Sequence, residues 1–373
     1  MRILHINCNY IGTTLHQLMV EELDSLGLEN EVFVPTYDKN IAVIKPNDNV
    51  QVAECFNKCD RLIFDYKQRK IIKAIEATYD ISKFDLIHAY TLFTDGCVAR
   101  FLSEKYKIPY VVAIRNTDVN DFLKKMVYLR RRGLKTLINA EAVFFLSNAY
   151  KEIVFSKYIP RRYYYIMQKV FVIPNGIDEF WFKNEFKNKK IDSNSKVIEL
   201  IYAGGIDKNK NIEMTQSAMK LLHNFGITTH LTVIGKNKDE RVYRKLIHDN
   251  AITVLPPVNK QQLMQLYRKA DIFVMPSFTE SFGLVYAEAM SQGLPIVYSA
   301  GQGFDGQYPE GIVGYSVNPH SAKSIAEAIQ QILLNKSEIS SRVVQCARKF
   351  NWKEIAKQYK SIYLRIGVST KEI

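Results

Sequence analysis

The sequence predicts an α/β protein made of two doubly wound parallel-sheet domains, Rossmann-like in pattern and divided by a cleft. Three observations predict it. The chain has 373 residues, more than one compact core usually organises, since domains tend toward roughly 100–200 residues. Short apolar runs alternate with stretches of helical periodicity, the mark of strand–helix–strand units. The alternation occurs twice, and a strong turn signal, Pro174-Asn175-Gly176, separates the two series.

The first series opens with a strand over residues 2–7 and a turn over 9–12. Leu15, Leu18, Met19, Glu22, Leu23 and Leu26 then recur at helical spacing, and Gly27 ends that helix. Further strands are expected over 31–35, 84–89, 109–114 and 142–146. The second series places strands over 197–204, 230–235, 253–255, 272–276 and 295–299, each followed by a helix-like segment. The hinge falls at 173–178, before the polar stretch 183–195. A final amphipathic helix, 352–366, is expected to cross back to the first domain. The predicted divisions are therefore 1–176, 177–350 and 351–373.

Composition narrows the function. Hydrophobic residues make up 47% of the chain and charged residues 24%, which excludes a largely disordered protein. The N-terminal apolar run is too short and too interrupted for a signal peptide. No uncharged apolar stretch reaches the ~18 residues of a spanning helix, so a soluble cytoplasmic chain is expected. The five cysteines, Cys8, Cys55, Cys59, Cys97 and Cys346, are scattered and odd in number, which argues against a disulfide framework. Cys55 and Cys59 read as neighbours on a helix face, but no second Cys/His pair accompanies them, and no metal site is expected.

The net charge of +13 admits a phosphate-rich ligand or an anionic surface. Lys124, Lys125, Arg130, Arg131, Arg132 and Lys135 crowd residues 122–135, which contain no acid. Leu123, Met126, Val127, Leu134, Leu137 and Ile138 would form a helical apolar face beneath them. Residues 157–165 mix Lys157, Arg161 and Arg162 with Tyr158, Tyr163, Tyr164 and Tyr165. Both segments suit adsorption at an anionic bilayer, where each basic group contributes ~1 kcal/mol; a solvated helix face is the plainer alternative. No nucleic-acid recognition module appears, and no G-x-G-x-x-G marks a dinucleotide site.

Ligands of parallel α/β sheets sit beyond the carboxyl ends of strands. The most informative such place is Val274-Met275-Pro276-Ser277-Phe278-Thr279-Glu280-Ser281-Phe282-Gly283-Leu284-Val285-Tyr286-Ala287-Glu288. The strand ends at Pro276, and a helix is expected to open near 281–283 with Ser281 as its cap. Gly293 and Pro295 end it. Free N–H groups at that helix start would suit a diphosphate. Glu280 is placed to reach ligand hydroxyls, and Glu288 to accept the vicinal hydroxyls of a ribose. An acid favoured by the helix dipole and a solvated helix glutamate are the simpler readings. Gly12, in the first strand-to-helix turn, would let backbone approach a phosphate. His88, past another strand end, reads either as a cleft residue or as a core histidine.

Glu280 and Glu288 resemble the E-x7-E motif of retaining glycosyltransferases of the GT-B fold, in the large group called family 4. Residues 267–277 and 288–297 resemble the elements entering and leaving that motif. Pro174-Asn175-Gly176-Ile177-Asp178 resembles the inter-domain signature. The resemblance implies transfer of a sugar from a nucleotide-diphosphate sugar, a UDP-sugar being favoured, to a hydroxyl acceptor with retention. It places the reaction in polysaccharide or glycolipid synthesis at the inner face of the membrane, with a sugar or lipid-linked sugar as acceptor. No other cofactor is implied. Asp-x-Asp, the metal-holding motif of the other common transferase fold, is absent from the sequence.

Carried over by position, Glu280 would hold the donor sugar and Glu288 the ribose. The segment Ser281, Phe282, Gly283 and Leu284 would hold phosphates and sugar through backbone. Pro257 and Val258 would lie near the base. Lys210 matches the family's phosphate-binding lysine. Gly205 stands where an arginine is expected, with Lys208 or Lys236 as substitutes. In the first domain, Arg115 replaces the usual histidine; it stays protonated and suits an anion rather than a base role. Asp118 matches an acidic position that would face the acceptor, or else it caps a helix. A non-catalytic nucleotide-sugar-binding protein and a sugar-nucleotide epimerase are the rival readings.

Overall fold

The computed structural model describes residues 1–11, 14–38, 48–186 and 197–369. The chain divides into two compact units. One holds Met1–Gly176 together with Trp352–Ile373, and the other holds Ile177–Asn351.

In the first unit, β1 (Arg2–Ile6), β2 (Glu29–Thr36), β3 (Val50–Glu54), β4 (Leu86–Ala89), β5 (Tyr110–Ile114), β6 (Ala142–Phe145) and β7 (Val170–Val172) form one sheet. Its order is β3-β2-β1-β4-β5-β6-β7, and every pairing is parallel. Parallel strands covered on both faces must be apolar throughout, and β4, β5 and β6 are buried at every position. One face carries a cluster that includes Phe33, Ile71, Ile75, Phe93 and Leu102. On the other face, Trp352, Ile355, Tyr359 and Tyr363 of the helix Trp352–Ser369 join Met19, Leu23 and Phe144.

The second unit contains β8 (Val197–Ala203), β9 (Thr228–Ile234), β10 (Ile252–Leu255), β11 (Ile272–Met275), β12 (Ile296–Ser299) and β13 (Gly314–Val317). Their order is β10-β9-β8-β11-β12-β13, again parallel throughout. In each sheet the order reverses direction once, between β1 and β4 and between β8 and β11. At such a reversal the connecting helices leave on opposite faces and open a crevice beyond the strand ends.

The sequence reading missed β3, β7 and β13, which are short and lie toward the sheet edges. It also misjudged two local features. Cys55 follows β3 while Cys59 opens the turn Cys59–Leu62, so they share no helix face. Residues 122–135 are not one helix. They run from the π-turn Asp118–Leu123 through the 3-10 turn Val127–Leu129 into the helix Arg130–Asn139. Val127 is consequently exposed while Leu123 and Leu137 are buried.

Candidate active site

In the second unit the reversal point lies between the ends of β8 and β11, and two loops meet there. The loop after β8 contains Asn209 and Asn211, which stitch it to the loop after β11. Asn209 Nδ2 donates to the Thr279 carbonyl at 2.9 Å, and its Oδ1 accepts from Thr279 N at 3.0 Å. Asn211 Nδ2 donates to the carbonyls of Pro276 and Pro319. Asn211 adopts φ 58°, a left-handed geometry that asparagine tolerates better than most side chains.

This stitching brings Lys210 to Glu280, with Nζ 2.6 Å from Oε2. Both side chains are largely buried, at 22% and 12% exposure. The other carboxylate oxygen accepts from Ser281 N at 3.0 Å, and Gln302 Oε1 accepts from Glu280 N at 3.0 Å. Glu280 is therefore fixed by both its backbone and its side chain. Asn209, Asn211 and Gln302 were not singled out in the sequence. The run Lys208-Asn209-Lys210-Asn211 was the available signal, read there only for its charges.

The helix beyond this loop is Leu284–Ser291, with Gly283 as its N-cap at φ 76° and no side-chain cap. Ser281 is thus not the cap, because the helix begins only at Leu284. A Cβ on Gly283 would stand 2.4 Å from the Tyr286 ring and 3.3 Å from Glu280 Cγ, so only glycine fits beside that carboxylate. The Phe282 side chain is buried against Phe304 and Phe350, which leaves its backbone for a ligand. The uncapped helix start, Leu284 first, offers N–H groups and a positive dipole end.

Glu288 lies farther along the same helix and is partly buried. Burial pushes its carboxyl up to about 7, against the pull of Lys260 and the Trp181 indole. Lys260 itself is paired with Asp178. Pro257 and Val258 follow the end of β10, ahead of the helix Lys260–Lys269 that Asn259 caps.

Gly205 shows what fills a missing side chain. A Cβ there would stand 2.9 Å from Lys238 Cε and 3.0 Å from Lys238 Nζ. Lys238 is held by its backbone, since its N–H donates to the Ile206 carbonyl at 3.0 Å. Lys208, Lys236 and Lys238 are all exposed, but the three atoms nearest to that position all belong to Lys238.

In the first unit, the predicted acid and arginine are bound together. Arg115 N donates to Asp118 Oδ2 at 2.9 Å. Arg115 Nε donates to the Tyr90 carbonyl at 3.3 Å, and a terminal nitrogen donates to Asn175 Oδ1 at 3.1 Å. Asp118 is fully buried and also accepts from Leu92 N and Phe93 N. It therefore ties down the chain entering the helix Thr94–Tyr106 instead of facing an acceptor. Burial raises its carboxyl to about 6, against these backbone donors. His88 belongs to the core. It stacks on Tyr90 at 4.3 Å and lies 2.7 Å from the Tyr363 hydroxyl, and burial holds its imidazolium form far down. Gly12 lies outside the described residues.

The reversal point of the first sheet opens into a cavity of about 680 Å³. Cys8, Asn9, Thr36 and Thr91 line it from the ends of β1, β2 and β4; Arg61 and Lys67 reach it from one side and Phe122, Met126 and Tyr128 from another.

Two parallel α/β units, each with a ligand crevice at its sheet reversal, define a two-domain Rossmann-like protein of the GT-B class. Two family models match the chain in succession: Glycosyltransferase Family 4 over residues 13–179 and Glycosyl transferases group 1 over residues 183–350. The chain belongs to this glycosyltransferase family. It is 26% identical over 280 residues to a D-inositol 3-phosphate glycosyltransferase of Pseudarthrobacter chlorophenolicus, covering 70% of this chain and 65% of that relative. Among solved structures, a sucrose-phosphate synthase from Thermosynechococcus elongatus matches with a TM-score of 0.75 and 20% identity, over 99% of this chain and 100% of that one. Anabaena HepE, in complex with UDP and glucose, matches with a TM-score of 0.65 and 17% identity, over 97% of this chain and 98% of that one.

Proposed function

We propose that the chain transfers a sugar from a nucleoside-diphosphate sugar to a hydroxyl acceptor, with retention of anomeric configuration. The observation that carries this reading is the Lys210–Glu280 pair at the reversal of the second sheet, beside an uncapped helix start. An ammonium and a carboxylate 2.6 Å apart offer adjoining places for a phosphate and for sugar hydroxyls. Lys238, over Gly205, supplies a second cation for the diphosphate. Glu288 takes the ribose, and the end of β10 takes the base, with UDP favoured.

In the reaction, the bond from the anomeric carbon to the diphosphate oxygen breaks and its electrons stay with the diphosphate. Lys210, Lys238 and the helix N-terminus stabilise that charge. The acceptor oxygen bonds to the same face of the carbon, and a phosphate oxygen takes the acceptor proton. This scheme requires no protein nucleophile, and it gives Arg115 no proton to accept.

The reaction is placed at an anionic membrane surface. No helix among the described residues is long and apolar enough to cross a membrane, so association is peripheral in this reading. Exposed Leu62, Ile63, Val127, Tyr128, Tyr165 and Met167 lie among lysines and arginines of the first unit. Part of the charge counted in the sequence is already paired, Arg132 with Asp65 and Lys125 with Asp121.

Turnover of UDP-sugars in excess chelator, with the product's anomeric coupling read by NMR, tests the reaction. Retention without added metal is expected, and an inverted centre overturns the scheme. Glu280→Ala should cost ~10²-fold or more in turnover. Lys210→Ala should weaken binding of UDP far more than of uridine.

A further inference from the structure

The cavity at the reversal of the first sheet has a one-sided chemistry. Arg61 and Lys67 line it, and among the described residues no aspartate or glutamate does. Its walls include the rings of Tyr37, Phe56, Phe64 and Phe122. Lys67 sits on the helix Phe64–Thr78 with its Nζ 5.0 Å from the centre of the Phe56 ring, and it forms no ion pair among the described residues. A partly buried ammonium against aromatic rings keeps only part of its hydration, and a ligand's negative charge would add to what the ring faces supply. Burial indeed holds the Lys67 ammonium below the usual lysine range.

The nearest buried acid does not supply that charge in full. Asp95 stands behind the cavity wall, with one oxygen accepting from Thr91 Oγ1 at 3.0 Å and the other from Cys8 N at 3.3 Å. Burial raises its carboxyl to about 7, which weakens the negative charge it presents to Lys67. Arg61 lies 5.7 Å from the Tyr37 ring centre at the exposed side of the cavity, where its guanidinium fork is open to a bidentate anion.

We propose that this cavity receives a phosphate carried by the acceptor, with Lys67 and Arg61 as the residues that select it. The inference rests on the glycosyl-transfer reading and gives its acceptor a class: a hydroxyl compound bearing a phosphomonoester or phosphodiester. Thr94 and Thr117, also on the lining, are neutral partners for the remaining hydroxyls. The group can belong to a free sugar phosphate or to a lipid headgroup. The lining residues Arg61 and Phe64 bracket Leu62 and Ile63, and Met126 and Leu129 bracket Val127 and Tyr128. The mouth is therefore flanked by two exposed apolar turns, as a headgroup drawn from a bilayer would require.

The test measures binding to the full chain by calorimetry, using glucose 6-phosphate, glucose, and vesicles with and without phosphatidic acid. Glucose 6-phosphate should bind at least tenfold more tightly than glucose, and Lys67→Met should remove that difference. Arg61→Gln, on an exposed turn where folding is not at risk, should remove part of it. If Leu62→Ser with Ile63→Ser abolishes binding to phosphatidic acid vesicles yet leaves glucose 6-phosphate binding intact, the source is a headgroup. Binding of the soluble phosphate without any vesicle binding makes the source a free phosphate. Equal affinity for glucose and glucose 6-phosphate, or a difference that survives in both cation variants, overturns the proposal. UDP binding to the wild-type chain is measured alongside. Its failure would count against the donor reading, while the phosphate preference of this cavity would be read independently.

Discussion

At the scale of single residues, the second unit shows a side chain from one loop occupying the space that a glycine leaves in another. Gly205 leaves a space, and the Lys238 ammonium fills it from the loop after β9. Gly205 is outside the left-handed region, so a larger residue is allowed once Lys238 yields. Lys238→Ala should weaken UDP binding about tenfold, the loss of roughly 1.4 kcal/mol. Gly205→Arg in that background should restore it. Calorimetric titration checks both, and no recovery in the double variant removes Lys238 from the phosphate site. This cation was hidden in the sequence because thirty-odd residues separate it from Gly205. The order β9-β8 makes the two strand ends neighbours, and only pairing reveals that. Lys210 and Glu280, by contrast, were legible because the stretches around them resemble the family's own motifs.

Glu288 adds a pH dependence on the same scale. In the proposed site only its ionised form would accept two ribose hydroxyls, and burial pushes its carboxyl up to about 7. Affinity for UDP-glucose, whose diphosphate does not titrate in this range, should therefore rise with pH. One unit below that value about a tenth of the protein is competent, so binding should be about tenfold weaker there than at high pH. Glu288→Gln should flatten the profile. An unchanged slope in that variant would separate Glu288 from the ligand.

At the scale of elements, Asp118 explains how β4, β5 and the helix Thr94–Tyr106 keep their relation. Its carboxylate gathers the N–H groups of Leu92, Phe93 and Arg115, from the ends of two neighbouring strands. The motif match pointed toward the acceptor, and the alternative reading, a helix cap, is nearer to the structure. The cap serves a distant helix, however, which sequence proximity does not disclose. Asp118→Asn replaces one acceptor oxygen with a donor against these N–H groups and should cost ~1–3 kcal/mol of stability, read from urea unfolding. The sign of the pH effect follows from the same burial. The folded carboxyl at about 6 holds its proton more tightly than an unfolded aspartate near 3.9. The penalty for ionising it is absent below the unfolded value and complete above about 6. The variant should therefore compare least favourably with wild type in acid. The helix Leu284–Ser291 was anticipated near residues 281–283, but its cap was misassigned because the helix opens later, with Gly283 in left-handed geometry at the cap position.

For the molecule as a whole, the last helix sits in a unit from which the sequence separates it by 175 residues. Its amphipathic spacing was visible in the sequence, whereas its partners were not, because they lie in the first 173 residues. Ile355, Tyr359 and Tyr363 are buried with Met19, Leu23 and Phe144, and the Tyr363 hydroxyl reaches His88 Nδ1 in the centre of the first sheet. Removing that hydroxyl leaves a buried ring nitrogen without its partner, which costs ~1–3 kcal/mol. Truncating Tyr359 to alanine removes an aromatic ring from a closed core, at ~3–5 kcal/mol. Both losses should fall on the first unit alone, even though the mutated residues directly follow the second unit in the chain. Native-state hydrogen exchange reads this directly. In Tyr363→Phe and Tyr359→Ala, amides of β1, β4 and β5 should lose protection while those of β8 and β11 keep theirs. UDP binding by the second unit should survive at temperatures where the first has begun to open. Loss of protection spread evenly over both sheets would mean that the two units unfold as one cooperative body, and the helix would then stabilise the whole chain instead of the unit it completes.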